Sequence, residues 1–190
     1  MRIAQPQDRN LVINLLAQAF KANQSVNYII GTGEGRIHRL RFLISYSFDI
    51  CRLFGEVFIT EDDKGCALVL FPDKKRITIK SIVLDVRLAL RAIGLMNVGR
   101  ALKREVAIKK CQPEMRLYYL WFIGVRPDAQ GLGIGSSLLK ELKQRSQQLE
   151  RTICLETSTL RNIPWYKKNG FTIYNELDFG YRLYFLKSDR

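Results

Sequence analysis

The sequence holds one histidine, His38, in 190 residues. A Ser-His-Asp hydrolase, a His-based phosphorelay or a His-rich zinc enzyme would have to run through that residue, and nothing around it suggests so. The four cysteines, Cys51, Cys66, Cys111 and Cys154, form no C-x-x-C pair. A zinc ribbon and a thioredoxin motif are therefore excluded, and reduced, buried or half-buried thiols are expected instead of a disulfide framework. No metal site is expected. Acidic residues are scarce: 18 Asp and Glu stand against 31 Lys and Arg, a net charge of +13. Long uncharged apolar runs are also missing. The greasiest stretch, residues 82–98, carries Asp85, Arg87 and Arg91, so no membrane span is expected. Near the start, Gln5, Pro6, Gln7 and Asp8 interrupt any apolar run, unlike a secretory signal. The composition reads as a soluble, cytoplasmic protein.

What is present is a globular profile, 47% apolar and 26% charged. At this length one domain over 1–190 is the expectation, large enough to bury about 70% of its surface without staples. Leu11, Leu15, Leu16, Ala19 and Phe20 recur at helical spacing and predict a helix over 8–22, with Asp8 as N-cap. A polar, Gly-rich loop at 31–35 precedes a second helix over 36–50. From Gly55 the period changes, and residues 57–59, a turn cluster at 61–65 and residues 66–71 predict a β-hairpin. Residues 80–108 read as helical, with breaks at Gly94 and Gly99. The run Leu117–Val125 predicts a strand buried on both faces. An amphipathic helix over 134–149, a strand over 152–158 and a short helix over 162–168 follow, the last with Asn162 as N-cap. Strands near 171–175 and 180–187 close the chain. This order predicts an α/β fold: a mixed, mostly antiparallel central sheet with one parallel strand–helix–strand crossover and flanking helices.

The sharpest feature lies between the buried strand and the amphipathic helix, where Gln130, Gly131, Gly133 and Gly135 punctuate the turn. Alternate glycines let the backbone turn tightly and approach a ligand closely. The unpaired N–H groups and dipole of the following helix then make an anion site suited to phosphate or pyrophosphate. A Walker A loop would need Gly-Lys-Ser/Thr, yet Ser136 follows Gly135. A dinucleotide loop would need Gly where Ser136 or Leu138 stands. What fits is Q-x-x-G-x-G, and here the sequence resembles the GNAT N-acetyltransferase superfamily. A second stretch matches independently: Asn162, Tyr166, Gly170 and Phe171 resemble the family's N-x-x-x-Y-x-x-x-G-F segment. The two matches cover about 117–139 and 153–173, whereas residues 1–116 match loosely.

The resemblance implies an acetyl-CoA-dependent N-acetyltransferase acting on a primary amine of a small molecule or protein, by direct attack in a ternary complex. Acetyl-CoA would be a cosubstrate and no metal would be needed. Backbone groups around Ile123, Gly124 and Val125 would hold the pantetheine arm. Gln130, Gly131, Leu132, Gly133, Ile134, Gly135 and Ser136 would cradle the pyrophosphate. Asn162 would contact the cofactor near the thioester, and Tyr166 would be general acid to the CoA thiolate; the alternative for Tyr166 is an aromatic packed under the sheet. Glu156 sits mid-strand between apolar residues, where burial would raise its pKa, and could act as base directly or through water. Its alternative is a structural carboxylate, and Glu114 is a second candidate base.

Residues 74–110 hold eleven Lys and Arg against Asp85 and Glu105, or +9 of the total +13. The segment is longer than a connection requires and reads as a basic helical insertion, with Lys80, Arg87 and Arg91 on one helix face. Attraction of CoA, cover for an acidic or phosphorylated acceptor, contact with nucleic acid or anionic lipid, and a plain solvated face all remain open. No aromatics interleave these charges, so nucleic acid is not the expected partner. Two further function classes compete with the enzyme: a non-catalytic acyl-CoA-binding or regulatory module, and a basic nucleic-acid- or ribosome-associated protein. A homodimer is left open.

Overall fold

The structure, a computed structural model, describes residues 1–188. Its strands are β1 Arg2–Ile3, β2 Gly55–Ile59, β3 Gly65–Leu70, β4 Leu117–Val125, β5 Thr152–Thr157, β6 Phe171–Asp178 and β7 Arg182–Ser188. They form one sheet in the order β1-β2-β3-β4-β5-β7-β6. Every neighbouring pair is antiparallel except β4–β5. The helices are α1 Arg9–Ala19, α2 Gln24–Ile30, α3 Arg36–Phe54, α4 Ile79–Leu88, α5 Leu95–Cys111, α6 Ile134–Gln148 and α7 Ile163–Lys168. The crossover β4–α6–β5 is the single parallel unit, as the sequence predicts.

Apolar residues fill both faces of the sheet. In β3 the side chains alternate: Cys66, Leu68 and Leu70 join the core with α1 and α3, while Ala67 and Val69 join the core with α6. A strand that is apolar at every position is what two buried faces require. In β4 the alternation slips. Leu68 pairs with Phe122 and Val69 with Leu120, which leaves Trp121 as the extra residue of a β-bulge. A bulge re-aims the side chains beside it. Trp121 and Phe122 accordingly both pack toward α1 and α3, and Ile123 toward α6.

The parallel pair is brief. β4 and β5 are joined only over 117–119 and 152–154. Beyond that point β4 follows β3, and β5 follows β7. The two strands part into a wedge, and residues 120–125 have no strand partner on the β5 side among the described residues. The start of β5 is anchored by Arg151, whose side chain is 2% exposed. It donates to both carboxylate oxygens of Asp73 at 2.6 and 2.9 Å and to the Leu117 carbonyl at 3.0 Å. Its guanidinium also lies 4.5 Å from the centre of the Phe71 ring.

Four local details differ from the sequence reading. Asp8 stands at the N-cap position of α1, as the sequence predicts, but its side chain makes no capping bond, because its carboxylate is engaged by Arg2 and by the Gln5 backbone N–H. Gly99 does not break α5; the break falls at Gly94, which takes φ +77°. Helix α2 went unforeseen because seven residues are too few to show a period. It is capped by Asn23, whose side chain accepts from the Val26 N–H at 3.0 Å. Asn162 makes no side-chain capping bond, since a 3₁₀ turn, Leu160–Asn162, leads into α7.

Candidate active site

Past Val125 the chain makes a short 3₁₀ turn at Pro127–Ala129 and enters the glycine loop. Gly131 and Gly133 take φ +83° and +80°, and Gly133 directly precedes α6. Side chains rarely adopt that conformation, so glycine is required there. The space beyond is open: a Cβ on either residue would meet nothing within 4 Å. The Gln130 amide donates to the Val125 carbonyl at 3.3 Å and ties the loop to the strand end. The first N–H groups of α6 have no acceptor within the helix and carry its positive dipole end.

This loop opens on a cavity of about 620 Å³. Ile123, Gly124, Val125, Gln130, Gly131, Gly133, Ile134, Gly135, Ser136, Asn162 and Tyr166 all line it. Leu132 does not, and is 70% exposed. Gly124 has a packing reason as well. A Cβ there would sit 2.8 Å from Leu16 Cδ2 and 3.2 Å from Ala19 Cβ, so its bare backbone lets α1 lie against β4. On the far wall the Trp165 indole N–H donates to Ser136 Oγ at 2.9 Å, joining α7 to the first turn of α6. Exposed Arg161 adds a cation to this lining.

A smaller cavity, about 140 Å³, fills the wedge where β4 and β5 part. Phe20, Asn23, Ile123, Thr159, Asn162 and Tyr166 line both spaces, so the two meet along that wall. Inside the smaller one Glu156 accepts a hydrogen bond from the Tyr119 hydroxyl. Burial pushes the Glu156 carboxyl from its ordinary 4.5 up to about 7, against the opposing pull of the Tyr119 hydrogen bond and the nearby Arg104 charge. Burial also raises the Tyr166 phenol, which is therefore protonated at neutral pH. Arg104 and Glu105 of α5 complete one side. Arg104 is held there by the Tyr181 hydroxyl at 2.9 Å and Ser25 Oγ at 2.6 Å. Glu114 is exposed and lines neither cavity.

The structure thus brings Tyr166, Glu156, Asn162 and the glycine loop together around two adjoining spaces. It adds residues that the sequence reading did not select: Phe20 and Asn23 from the α1–α2 corner, Tyr119 and Trp121 from β4, and Arg104 from α5. No motif marks them. The one available signal was the aromatic excess of β4, which a buried strand explains equally well.

Comparison with known proteins bears on the family resemblance and the fold. The family model for the acetyltransferase (GNAT) domain matches residues 93–173, a span that includes both sequence motifs. Among solved structures, the histone acetyltransferase HPA2 and related acetyltransferase of Corynebacterium glutamicum superposes with a TM-score of 0.73 at 19% identity, covering 100% of this chain and 95% of the other. Arylalkylamine N-acetyltransferase 2 of Aedes aegypti gives 0.64 at 14% identity, covering 98% of this chain and 96% of the other. An N-acetyltransferase of Staphylococcus aureus gives 0.58 at 17% identity, covering 98% of each. At these identities the likeness is one of fold.

Proposed function

The chain resembles the GNAT superfamily in sequence and has its fold, and from that premise we propose that it is an acetyl-CoA-dependent N-acetyltransferase for primary amines. One observation carries the reading: a roomy cavity at a helix N-terminus and a small carboxylate-bearing cavity share a wall that contains Tyr166. Two substrates held in those spaces would meet at that wall.

The residues fit acetyl-CoA. The open space above Gly131 and Gly133 admits a pyrophosphate onto the free N–H groups of α6, with Arg161 as counter-charge. The unpartnered edge of β4 at Ile123 and Val125 offers backbone donors and acceptors to the amide groups of a pantetheine arm. Acetyl-CoA supplies an activated acyl group. The chain supplies position and protons. Asn162 lies in the shared wall and orients the thioester end. Glu156, with its carboxyl held near neutrality, takes a proton from an incoming ammonium so that a neutral amine attacks. As the C–N bond forms and the C–S bond breaks, Tyr166 gives its phenol proton to the departing sulfur, and the resulting phenolate is reprotonated by the second proton that the acylated nitrogen sheds. The burial that raises this phenol also raises a thiolate beside it, so the transfer is not opposed by the phenol's high pKa alone.

Phe20, Trp121 and Phe122 give the acceptor cavity aromatic walls, and the carboxyls of Glu105 and Glu156 stand there beside Arg104. An amine on a compact apolar arm suits both. The catalytic unit in this reading spans 1–190, with the basic helices as an insertion, and it works in the cytoplasm.

The test is Tyr166→Phe, assayed by thiol release with a panel of amines. The variant should bind acetyl-CoA within about threefold of the original, yet turn over about a hundredfold more slowly. Unchanged turnover would remove Tyr166 from the chemistry. Acetyl-CoA binding with no turnover on any amine would favour the acyl-CoA-binding module.

A further inference from the structure

The basic helical segment carries an apolar surface that the fold leaves uncovered. Helix α4 has a conventional inner face: Leu84 and Leu88 pack on the core, and Asp85 accepts from the Tyr46 hydroxyl at 2.6 Å. Its opposite face is apolar too. Ile79, Ile82, Val83 and Val86 are 85%, 49%, 42% and 52% exposed, at spacings i, i+3, i+4 and i+7. Leu90, just past the helix, extends the row. Helix α5 repeats the pattern with exposed Leu95, Leu102 and Val106. Ten of the sixteen large apolar side chains exposed among the described residues lie between 77 and 106. Such clustering marks an interaction surface.

The charges beside these rows decide the partner. Lys80 and Arg87 flank the α4 row, and Lys103, Lys109 and Lys110 lie on the exposed side of α5. The two acids of residues 74–110 are exposed but stand outside the aliphatic rows: Asp85 is bonded to Tyr46 on the inner side of α4, and Glu105 lines the smaller cavity. The segment is +9 over 37 residues, and even with Arg104 turned to the smaller cavity the charge left on its outer side repels a second copy of itself. The cores of protein interfaces are poor in lysine and rich in aromatics, but no aromatic residue occurs between Phe71 and Tyr118. That absence also removes the stacking platform a single-stranded nucleic acid needs. Aliphatic rows bordered by Lys and Arg suit the boundary between anionic headgroups and acyl chains. No helix among the described residues is long and apolar enough to cross a membrane, so the helices would lie in the plane of the surface.

We propose that the outer faces of α4 and α5 dock the protein onto an anionic lipid bilayer, with the aliphatic rows in the interface and the flanking Lys and Arg on the headgroups. The inference is independent of the acyl-transfer reading.

The test is cosedimentation of the full chain with vesicles of phosphatidylcholine alone, or with roughly 30 mol% phosphatidylglycerol added. Binding is expected only to the anionic vesicles. The partition coefficient should fall at least about tenfold both for Lys80→Glu with Arg87→Glu and for Ile82→Ser with Val86→Ser. All four positions are exposed, and circular dichroism checks that the variants fold. If a variant fails to fold, Leu102→Trp gives a separate readout: its emission, after subtraction of the wild-type signal, should shift to the blue on anionic vesicles alone. Absence of vesicle binding by the folded chain overturns the proposal. So does binding that survives Ile82→Ser with Val86→Ser, which would make the contact merely ionic. A dimer that forms through this face, or salt-sensitive binding to RNA without vesicle binding, overturns it as well.

Discussion

Glu156 offers a prediction in which stability and activity are tied to one carboxyl. Its ordinary pKa of 4.5 rises to about 7 in the fold, chiefly through burial. Below pH 4.5 the group is protonated whether the chain is folded or not. Between 4.5 and about 7 the unfolded chain releases this proton while the folded chain keeps it, so folding stability falls as pH rises. The slope approaches about 1.4 kcal/mol per pH unit, and the total loss is on the order of 3 kcal/mol, complete above pH 7. Glu156→Gln keeps an acceptor for the Tyr119 hydroxyl but has no proton to lose. Thermal melts of both proteins from pH 4.5 to 8.5 should therefore diverge in favour of the variant, by roughly 6–12 °C at the alkaline end. The same variant should lose turnover about a hundredfold, and with it the rise in kcat/KM that the parent shows through about pH 7. Parallel melting profiles across that range would refute the desolvated carboxyl. Diverging melts with equal turnover would leave Glu156 buried but take the base role away.

Two further predictions concern the frame of the site. Gly124→Ala places a methyl 2.8 Å from Leu16 Cδ2 and should destabilise by about 1–3 kcal/mol as α1 moves off β4. Because α1 and β4 both line the larger cavity, acetyl-CoA affinity should drop with it; calorimetric titration reads this. Asp73→Ala leaves the buried Arg151 guanidinium without its carboxylate; because Asp73 itself is 43% exposed and its charge partly screened, the cost in urea unfolding should be about 1–2 kcal/mol. The deficit should shrink in acid, since Arg151 holds the Asp73 carboxyl below its usual range and that stability fades as pH falls through the folded pKa. A deficit independent of pH would contradict the ion-pair account.

The parts of the structure that could be read from the sequence are those with strong local signals. The apolar run of β4, the glycine loop and the amphipathic α6 follow one another with no alternative assignment, and they fix the parallel crossover. Asn162 and Tyr166 stood out only through their resemblance to the family's N-x-x-x-Y-x-x-x-G-F segment, and both line the larger cavity. What could not be read depends on contacts between distant segments. Asp8 was diverted from α1 by Arg2, six residues away in sequence but brought close by β1 pairing with β2. The bulge at Trp121 exists only in register with β3, so the turning of Trp121 and Phe122 to the same side had no sequence pattern. Arg104 is one of 31 Lys and Arg residues, and only the folding of α5 beside Tyr181 and Ser25 brings it to the smaller cavity. The charge of the basic segment was plain in the sequence. Its second apolar face was not, because the row Ile79, Ile82, Val83 and Val86 has the spacing of a packed face, and only the fold shows that Leu84 and Leu88 face the core instead.

The central claim is that the glycine loop holds acetyl-CoA. It is tested most directly by thermal unfolding with and without that ligand, for the parent and for Gly133→Glu. The glutamate would fill the open space above the loop with a negative charge, and it would also lower the starting Tm because Gly133 sits at φ +80°. The quantity to compare is therefore the shift caused by the ligand. At a hundredfold excess over Kd the parent should gain about 2.7 kcal/mol, on the order of 5–10 °C, and the variant should gain almost nothing. No shift of the parent in millimolar acetyl-CoA, or an equal shift in both proteins, would contradict the account.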